Sequence, residues 1–459
     1  MDWMEILSRI QFAFTVSFHI LFPAFSIGLS AFLMIFEGVW LITKNDKYLT
    51  IVKFWTKVFA LTFGMGVVSG IVMEFQFGTN WSGFAKEVGP VLGALFTYEV
   101  LTAFFIEAGA LGIMIFGWGR VSKALHYFSN IVIFLGVTIS AFWILSANSW
   151  MQTPNGVDYV NGQFIITSWF DVIFNPSVLP RYSHMLIAAY LSTSFVILGV
   201  SAYYLIKKIN HDFALPCIRF SVVSILLFSL VQFFVGDEVG IKVHEHQPIK
   251  TAAIEGVWNT QKGAPLVLFA YPDEEAEINR FAIEIPKLAS LINTHQMDGE
   301  LIGLKSVDKQ DRPLVAVVFY SFRVMVAIGI LMLMMGVIGT ILLLKKRLEQ
   351  TNWFLSLSVI CSPIGFIAII AGWFTAEFGR QPWVVYNLIR TEDVVSDLSV
   401  IQVAISLALI IVIYCIVFGF FYFRYFSRII KQGPSAAGTE RMPYAYFQSV
   451  EENISKKDA

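Results

Sequence analysis

Nine apolar runs, each long enough to cross a bilayer as a helix, limit what this chain of 459 residues can fold into. The hydrocarbon core of a bilayer takes about 20 residues of α-helix. The runs are continuously apolar rather than alternating, which favours helices over the strands of a barrel. Their centres lie near Pro23, Phe63, Phe104, Gly136, Phe195, Ile225, Gly329, Phe366 and Ile410. The sequence therefore predicts an all-α integral membrane protein with about nine transmembrane helices in bundles.

The composition supports a membrane protein and gives no indication of a nucleic-acid partner. Charged residues make up 14% of the chain, whereas soluble domains carry about 25%. The mean hydropathy is +0.68. The formal net charge is −1, and no basic tract is present that would indicate nucleic-acid binding.

The basic residues of the short loops predict the orientation. Lys and Arg are concentrated in the loops that follow the odd-numbered runs, as in Lys345-Lys346-Arg347. Cytoplasmic loops carry an excess of Lys and Arg. The N-terminus is therefore expected outside and the C-terminus in the cytoplasm, which requires an odd number of spans.

One long polar stretch divides the chain into regions. We expect residues 1–235 to hold helices one to six and residues 236–312 to form an extracytoplasmic loop. Residues 313–430 would hold helices seven to nine, and residues 431–459 would form a cytoplasmic tail. Loops as long as the second region are usually functional or disordered.

Several ionisable residues lie inside the apolar runs. Such groups are costly in a membrane and are functional candidates by default. Each also has an ordinary interpretation as a hydrogen-bonded group that joins helices or reaches the interface. The residues are His19, Glu74, Glu99, Glu107, His184, Arg323 and Glu377.

Two histidines and one methionine are candidate iron ligands. His19 lies in the first run and His184 at the outer end of the fifth. Met325 is expected at a similar depth to His184, and a His/Met pair holds a six-coordinate, electron-transferring haem. A methionine alone would ordinarily be packing, but Arg323 beside it needs a counter-charge, which a haem propionate supplies.

Glu99 and Glu107 share the third run. Eight residues separate them, which is about 12 Å along a helix axis. Eight steps of about 100° leave them about 80° apart, so both side chains can face one interior. They are either neutral acids that hold helices together or members of a proton relay near a haem iron.

The densest group of candidate residues ends the eighth run. It reads Gly372-Trp373-Phe374-Thr375-Ala376-Glu377-Phe378-Gly379-Arg380-Gln381-Pro382-Trp383. Glu377 and Arg380 are one turn apart, and Pro382 ends the helix. A carboxylate and an arginine at this spacing alone would indicate only an interfacial ion pair.

The full string resembles a family signature. Gly379-Arg380-Gln381-Pro382-Trp383 is similar to the GRQPW motif of cytochrome bd-type quinol oxidase subunit I. Met73-Glu74-Phe75-Gln76-Phe77-Gly78-Thr79-Asn80-Trp81 resembles a second motif of that family. The resemblance covers essentially the whole chain, and the short outside loop resembles the short-loop branch, which includes cyanide-insensitive oxidases.

The resemblance implies roles for individual residues. His184 and Met325 would be the axial ligands of a low-spin haem b, with Arg323 beside it. His19 and Glu377 would be ligands in a paired high-spin site. That site holds a haem b together with a haem d or a second haem b in its place. The remaining residues resemble the haem environment and proton path (Glu74, Glu99, Glu107, Trp373 and Arg380) and the quinol-oxidation residues (Lys250 and Glu255).

The resemblance also implies an activity and partners. Quinol would be oxidised near the outer face, and O2 would be reduced to water with protons taken from the cytoplasm. This separation generates a proton gradient without pumping. The expected partners are subunit II and membrane lipid, and the resemblance also allows a small single-span subunit. The expected location is the bacterial cytoplasmic membrane.

Other classes fit the sequence less well. A secondary transporter also uses buried carboxylates and arginines, but it does not explain the histidines, Met325 and the GRQPW string together. A haem-copper oxidase is excluded because, of seven histidines, only His19 and His184 are expected within spans. A cytochrome b of the quinol–cytochrome c type would need paired histidines on two helices. A purely structural subunit would not need so many buried charges.

Overall fold

The computed structural model, which describes residues 3–434, is a bundle of long helices. Before the long loop the helices are α1 (Trp3–His19), α2 (Leu21–Thr43), α3 (Asp46–Thr79), α4 (Ser82–Glu99), α5 (Phe105–Phe116), α6 (Lys123–Gln152), α7 (Trp169–Ile173), α8 (Val178–Lys207) and α9 (His211–His246). The remaining helices are α10 (Pro248–Glu255), α11 (Leu288–Thr294), α12 (Val315–Leu344), α13 (Asn352–Ile360), α14 (Ile364–Phe378), α15 (Val400–Ile413) and α16 (Phe423–Gln432). Within the described residues, eight segments are long and apolar enough to cross a membrane, and there are up to nine if the bent pair α13–α14 is counted as one span. The predicted number of spans is confirmed.

Several spans are not continuous α-helices. Ile20 separates α1 from α2 within the first span, and α13 meets α14 at an angle of 41°. Pro363 lies at that bend, where a proline removes a backbone donor and cannot continue a regular helix. Two π-helical segments, Val100–Phe104 and Tyr414–Tyr422, join α4 to α5 and α15 to α16.

Several apolar cores hold the helices together, and two of them include α8. The larger is shared by α2, α3, α6, α8 and α9, and Trp55, Phe59 and Phe213 are among its buried side chains. The second is shared by α8, α9, α12 and α13. Helices α8, α9, α12 and α14 also contact one another in a ring, which we call the α8–α14 group.

The long loop between α9 and α12 is folded. Helix α9 continues past the expected loop start at residue 236 and ends at His246, so the loop proper begins with α10. Short antiparallel pairs lie outside the spans: β1 (Val157–Val160) with β2 (Gln163–Ile166), β3 (Gln261–Lys262) with β6 (Glu300–Leu301), β4 (Leu266–Asp273) with β5 (Ile278–Ile285), and β7 (Trp383–Val385) with β8 (Ile389–Arg390). The loop thereby presents a fixed surface to the ends of the helices.

Gly336 sets the distance between α9 and α12. A Cβ at this position would lie 2.8 Å from the backbone nitrogen of Leu226 and 2.9 Å from its Cα. Because backbone cannot move aside, Gly336→Ala is expected to force the helices apart and to cost about 1–3 kcal/mol. Thermal unfolding of the purified complex measures this loss. Gly329→Ala on the same helix is the control, since nothing lies within 4 Å of its added Cβ; equal stability of the two variants would contradict the prediction.

The placement of the histidines corrects the sequence analysis. His126 is buried within α6, and His211, His244 and His246 belong to α9. The expectation that only His19 and His184 lie within spans was therefore wrong, because the basic-looking ends of two helices were read as loops. The exclusion of a haem-copper oxidase cannot rest on that count. The predicted cytoplasmic tail 431–459 lies outside the described residues from position 435 onward.

Candidate functional site

Glu377 lies in a buried polar cluster at the ends of α6 and α14. Its Oε2 accepts a hydrogen bond from Arg380 Nη2 at 2.5 Å. Its Oε1 accepts from the side-chain amides of Asn148 at 3.0 Å and Gln152 at 3.1 Å. Asn148 and Gln152 are one turn apart on α6, so both amides reach the same carboxylate. Trp373 lies one turn earlier than Glu377 on α14.

Arg181 belongs to the same cluster, although the sequence analysis did not single it out. Its Nη2 donates to Asn148 Oδ1 at 2.5 Å, so one amide joins the guanidinium to the Glu377 carboxylate. The available signal was an arginine one turn before His184 at the start of an apolar run. Two arginines, Arg181 and Arg380, therefore surround a single carboxylate.

Lys250, in α10 of the long loop, reaches this cluster as well. It is 2% exposed, and its Nζ donates to Gln152 Oε1 at 2.5 Å and to Gln247 Oε1 at 2.6 Å. A Cβ on Gly379 would lie 2.7 Å from Lys250 Cγ, so the glycine of the GRQPW string makes room for this lysine. Burial lowers the pKa of Lys250 well below its ordinary value, and repulsion from Arg181 lowers it further. A loop residue and a residue of the eighth span thus share one environment.

Glu255, at the other end of α10, faces a different environment. It is 2% exposed, and its Oε1 accepts from Asn293 Nδ2 at 2.9 Å. Its Oε2 has no hydrogen-bond partner within residues 3–434. Burial raises the pKa of Glu255, against the opposing influence of Asn293 and Arg323. The structure therefore does not bring Lys250 and Glu255 together, because they face opposite sides of the short helix.

Arg323 of α12 forms hydrogen bonds with the long loop. Its guanidinium donates to the carbonyls of Ile254 at 2.8 Å, Phe319 at 2.9 Å and Val267 at 3.0 Å. It also lies over the Phe319 ring, with Cζ 3.2 Å from the ring centroid. Three backbone carbonyls thus bind the Arg323 guanidinium in the described chain, and the place of Arg323 beside a haem stays a prediction.

His184 and Met325 both lie in the α8–α14 group. The His184 ring lies against Gly236 of α9, where an added Cβ would be 3.4 Å from Cε1. Its Nε2 lies 3.2 Å from Gln232 Nε2, and its buried Nδ1 has no partner in the described chain. Met325 Sδ lies against α14, 2.8 Å from where Gly372 would place a Cβ. Each candidate ligand therefore lies beside a glycine.

His19 is oriented by a neighbouring span. Its Nδ1 lies 2.9 Å from Ser69 Oγ, and that hydroxyl in turn donates to the Met65 carbonyl at 2.9 Å. The hydroxyl therefore accepts from Nδ1–H, which leaves the lone pair on Nε2. A hydrogen bond at one ring nitrogen fixes the tautomer in this way in metal-binding histidines. Gly70 leaves room beside the ring.

Glu99 and Glu107 both contact α6. Glu99 Oε1 accepts from Ser140 Oγ at 2.7 Å. Glu107 is 6% exposed and packs against Gly136, where a Cβ would lie 2.5 Å from its Cγ. Because Gly136 and Ser140 are one turn apart, the two carboxyls follow a single face of α6. The expectation that they face one interior is therefore met in this geometry.

The π-helical segment Val100–Phe104 accounts for that alignment. Its i→i+5 hydrogen bonding inserts one residue into the turn. The eight residue-to-residue steps from Glu99 to Glu107 therefore rotate the chain by about as much as seven regular steps of about 100° each. That rotation is about 20° short of two full turns, so the two side chains point in nearly the same direction. Glu74, on the exposed face of α3, lies near enough to Glu99 for their charges to interact.

A second buried charged cluster was missed. Glu37 in α2 is 0% exposed and bonds His126 Nδ1 through Oε1 at 2.8 Å and Asn130 through Oε2. His126 Nε2 lies 3.1 Å from the Met114 carbonyl. Both ring nitrogens are therefore occupied, and His126 holds helices together instead of presenting a ligand.

The residues present fit haem iron. Imidazole and thioether are the donors that hold six-coordinate haems, and His184 has a buried ring nitrogen without a partner. His19 presents an unprotonated Nε2, and glycines lie beside three of the candidate ligands. Within residues 3–434 no group of three or more His, Cys, Asp or Glu side chains could hold a bare metal ion. The donor set is therefore suited to macrocycle-bound iron.

Comparison with known proteins agrees with these features. A family model described as "Cytochrome bd terminal oxidase subunit I" matches residues 7–434. Cytochrome bd-II ubiquinol oxidase subunit 1 of Escherichia coli is 32% identical, covering 95% of this chain and 98% of the relative. Cytochrome bd ubiquinol oxidase subunit 1 of Bacillus subtilis is 34% identical, covering 98% and 99%. The solved structure of the bd oxidase from Geobacillus thermodenitrificans superposes with a TM-score of 0.87 at 29% identity, covering 94% of this chain and 99% of that chain.

Proposed function

Because the chain belongs to the cytochrome bd terminal oxidase subunit I family, we propose that it oxidises quinol at its outer loop and reduces O2 within the bundle. It is the subunit I of a quinol:oxygen oxidoreductase and a multi-pass protein of the cytoplasmic membrane. Membership also implies haems and a partner subunit II. The transporter, haem-copper, cytochrome b and purely structural alternatives are rejected by the match over nearly the whole chain.

The proposed ligands follow from the site geometry. His184 and Met325 would hold a low-spin haem b, and His19 and Glu377 would hold the high-spin pair, a haem b with a haem d or a second haem b. When bound, these groups supply the electron transfer from quinol to O2. The observation that most supports this assignment is that the His184 ring lies beside Gly236, in the same helix group as Met325, with a buried Nδ1 that has no partner in the described chain.

Proton handling is assigned to separate carboxyls. Glu255 would accept protons from quinol in the outside loop, while Glu99 and Glu107 would carry protons from the cytoplasm along α6, with Glu74 near Glu99. Release outside and uptake inside generate a gradient without pumping. This scheme requires the N-terminus outside, as the basic loops predict. A small single-span subunit and lipid would complete the complex.

A reduced-minus-oxidised absorbance spectrum of the purified complex, with extracted haems identified, tests the proposal. Haem b with the red-shifted band of haem d is expected for a member with both, and haem b alone for a member without haem d. A folded complex without haem would reject the proposed function.

Glu255 is expected to make quinol oxidation fall off at low pH, as an acid limb in the pH profile of the activity. A carboxyl group accepts a proton only when it is ionised. Because the pKa of Glu255 is raised, this carboxyl stays protonated at pH values above about 4.3, the ordinary pKa of a glutamate side chain. Activity should therefore rise as pH rises through that pKa. Glu255→Gln should lower kcat/KM by about 10²–10⁴-fold and remove the limb while the haems stay bound. Steady-state quinol oxidation across pH measures both effects.

Glu284→Gln is the matched control, because this loop carboxylate is exposed. It should leave the pH profile unchanged. Loss of haem with full activity per remaining haem in Glu255→Gln would show that Glu255 acts on structure instead of on quinol.

A further inference from the structure

The hairpin of β4 and β5 exposes a group of large apolar side chains. Phe269 and Ile283 face each other across the two strands, and both are more than half exposed. Contiguous exposed apolar surface of this kind marks an interaction site, whereas single exposed residues do not. The group, which we call the hairpin patch, consists of Leu268, Phe269, Tyr271, Ile278, Phe281, Ile283 and Ile285, each 39–83% exposed.

The hairpin is fixed to the bundle on one side only. Val267 and Ala270 of β4 are buried and form a small apolar core with Phe319 of α12. Strand β5 pairs with β4 alone, so its other edge is free. The hairpin patch therefore lies on the part of the hairpin that α12 leaves uncovered.

Three hydrogen bonds fix the height of the hairpin along α12. In order along the helix, they join the Ala316 backbone N–H to Glu274 Oε1 at 3.2 Å, the Tyr320 hydroxyl to the Ala270 carbonyl at 2.9 Å, and Arg323 Nε to the Val267 carbonyl at 3.0 Å. Seven residues separate the first contact from the last on α12, which is about two helical turns. The turn of the hairpin therefore lies at the start of α12, and its open end lies beside Arg323.

The length of α12 sets the depth of these contacts in the membrane. The helix has 30 residues, which is about 45 Å, whereas the hydrocarbon core of a bilayer is about 30 Å thick. Leu344 ends the helix and is followed at once by Lys345 and Lys346, so the hydrocarbon ends near Leu344. Counting about 20 residues back from there reaches Met325. Residues 315–323, and the hairpin beside them, therefore lie at the level of the lipid headgroups.

We propose that the hairpin patch is a membrane anchor, which lies in the headgroup layer and contacts the upper acyl chains of the lipids. Aromatic side chains are enriched at this level of a bilayer, and interfacial elements bury their apolar side about 5–10 Å into it. The patch also continues the surface of α12, where Tyr320 and Val324 are 37% and 43% exposed beside the hairpin. The anchor would hold the long loop against the bilayer.

The free edge of β5 limits how deep the hairpin lies. Unpaired backbone groups are costly in hydrocarbon, where no water satisfies them. In the headgroup layer water and lipid oxygens are available to this edge. Arg280, the charged residue between Asn279 and Phe281, pairs with Asp273 at 2.7 Å and is also tolerated at that level. The strand is therefore suited to the interface and not to the centre of the membrane.

Phe281 is the member of the patch that water alone explains least. Its side chain is 83% exposed, and its backbone is left-handed, with a φ of 54°. That conformation is uncommon for a bulky residue, and strained residues persist where they serve a function. Contact with lipid provides the apolar environment that the described chain does not give this ring.

Electron paramagnetic resonance of a nitroxide at Phe281→Cys tests the anchor in the whole complex in lipid nanodiscs. Cys415, which is exposed, is replaced by serine, whereas Cys217 and Cys361 are buried. Molecular oxygen concentrates in lipid and a neutral nickel chelate stays in water, so their collision rates with the label report its surroundings. We expect a several-fold higher ratio of oxygen to nickel collisions than at a water-exposed position. Ile283→Cys gives a second label position if the first variant folds poorly.

Ala276→Cys is the matched control, because Ala276 is exposed at the turn of the same hairpin, beside the start of α12. Its label should collide freely with the nickel chelate. Equally free nickel collisions at positions 281 and 283 would overturn the anchor by showing that the patch faces water. Protection of both labels from both reagents would also overturn it, in favour of a partner subunit. Haem spectra of the labelled complexes report separately on the proposed function.

Discussion

Met325→Leu is expected to abolish the low-spin haem signal of the complex. Met325 Sδ is the only donor atom of that side chain, and leucine removes it while nearly conserving volume. The iron would then be five-coordinate and high-spin, or the haem would be lost. A thioether ligand raises the midpoint potential of a haem, so the potential of any remaining haem should fall. Quinol oxidation should decrease more than about tenfold.

The same substitution at Met332 provides the control. Met332 lies two turns further along α12, is 3% exposed and belongs to the second apolar core. Met332→Leu should leave the low-spin spectrum intact. The measurement is a reduced-minus-oxidised spectrum with a redox titration, and a normal low-spin signal in Met325→Leu would remove Met325 from the ligand set.

The membrane fold was predictable because its main signal is local. A run of about 20 apolar residues predicts a span without reference to any other part of the chain. For that reason the nine runs correspond to the eight candidate spans and the bent pair α13–α14. The break at Pro363 also had a local cause. The π-helical segment Val100–Phe104 had no such signal, because its apolar residues suit a regular helix equally well.

The cluster around Glu377 was only partly predictable. Glu377 and Arg380 lie in one short string, and their pairing follows from helical spacing. Arg181, Asn148 and Lys250 come from three other parts of the chain, and only the packing of α6, α8 and α10 brings them in. The family resemblance grouped Lys250 with Glu255 as quinol-oxidation residues. The two ends of α10 instead face different partners.

Glu377→Gln is expected to remove a high-spin haem and to destabilise the complex. The glutamine keeps the size of the side chain, but it cannot supply an anionic oxygen to iron or to Arg380. Removing one partner of a buried ion pair costs about 3–5 kcal/mol, since the other charge is left uncompensated. We therefore expect loss of the high-spin signal, low oxidase activity and a lower unfolding temperature. Haem content, the optical spectrum and thermal unfolding measure these three effects. Glu392→Gln, with an exposed carboxylate, is the control.

A double variant separates ligation from ion pairing. If Glu377 only balances Arg380, then Glu377→Gln combined with Arg380→Gln removes both charges and should recover stability together with the haem spectrum. If Glu377 binds iron, the double variant should regain part of the unfolding temperature while the high-spin signal stays absent. Recovery of the spectrum in the double variant would therefore refute ligation by Glu377 even if the single variant loses haem. Arg380→Gln alone completes the comparison, because a high-spin signal that is retained in this variant and lost in the double variant identifies the Glu377 carboxylate oxygen as the group that the haem requires.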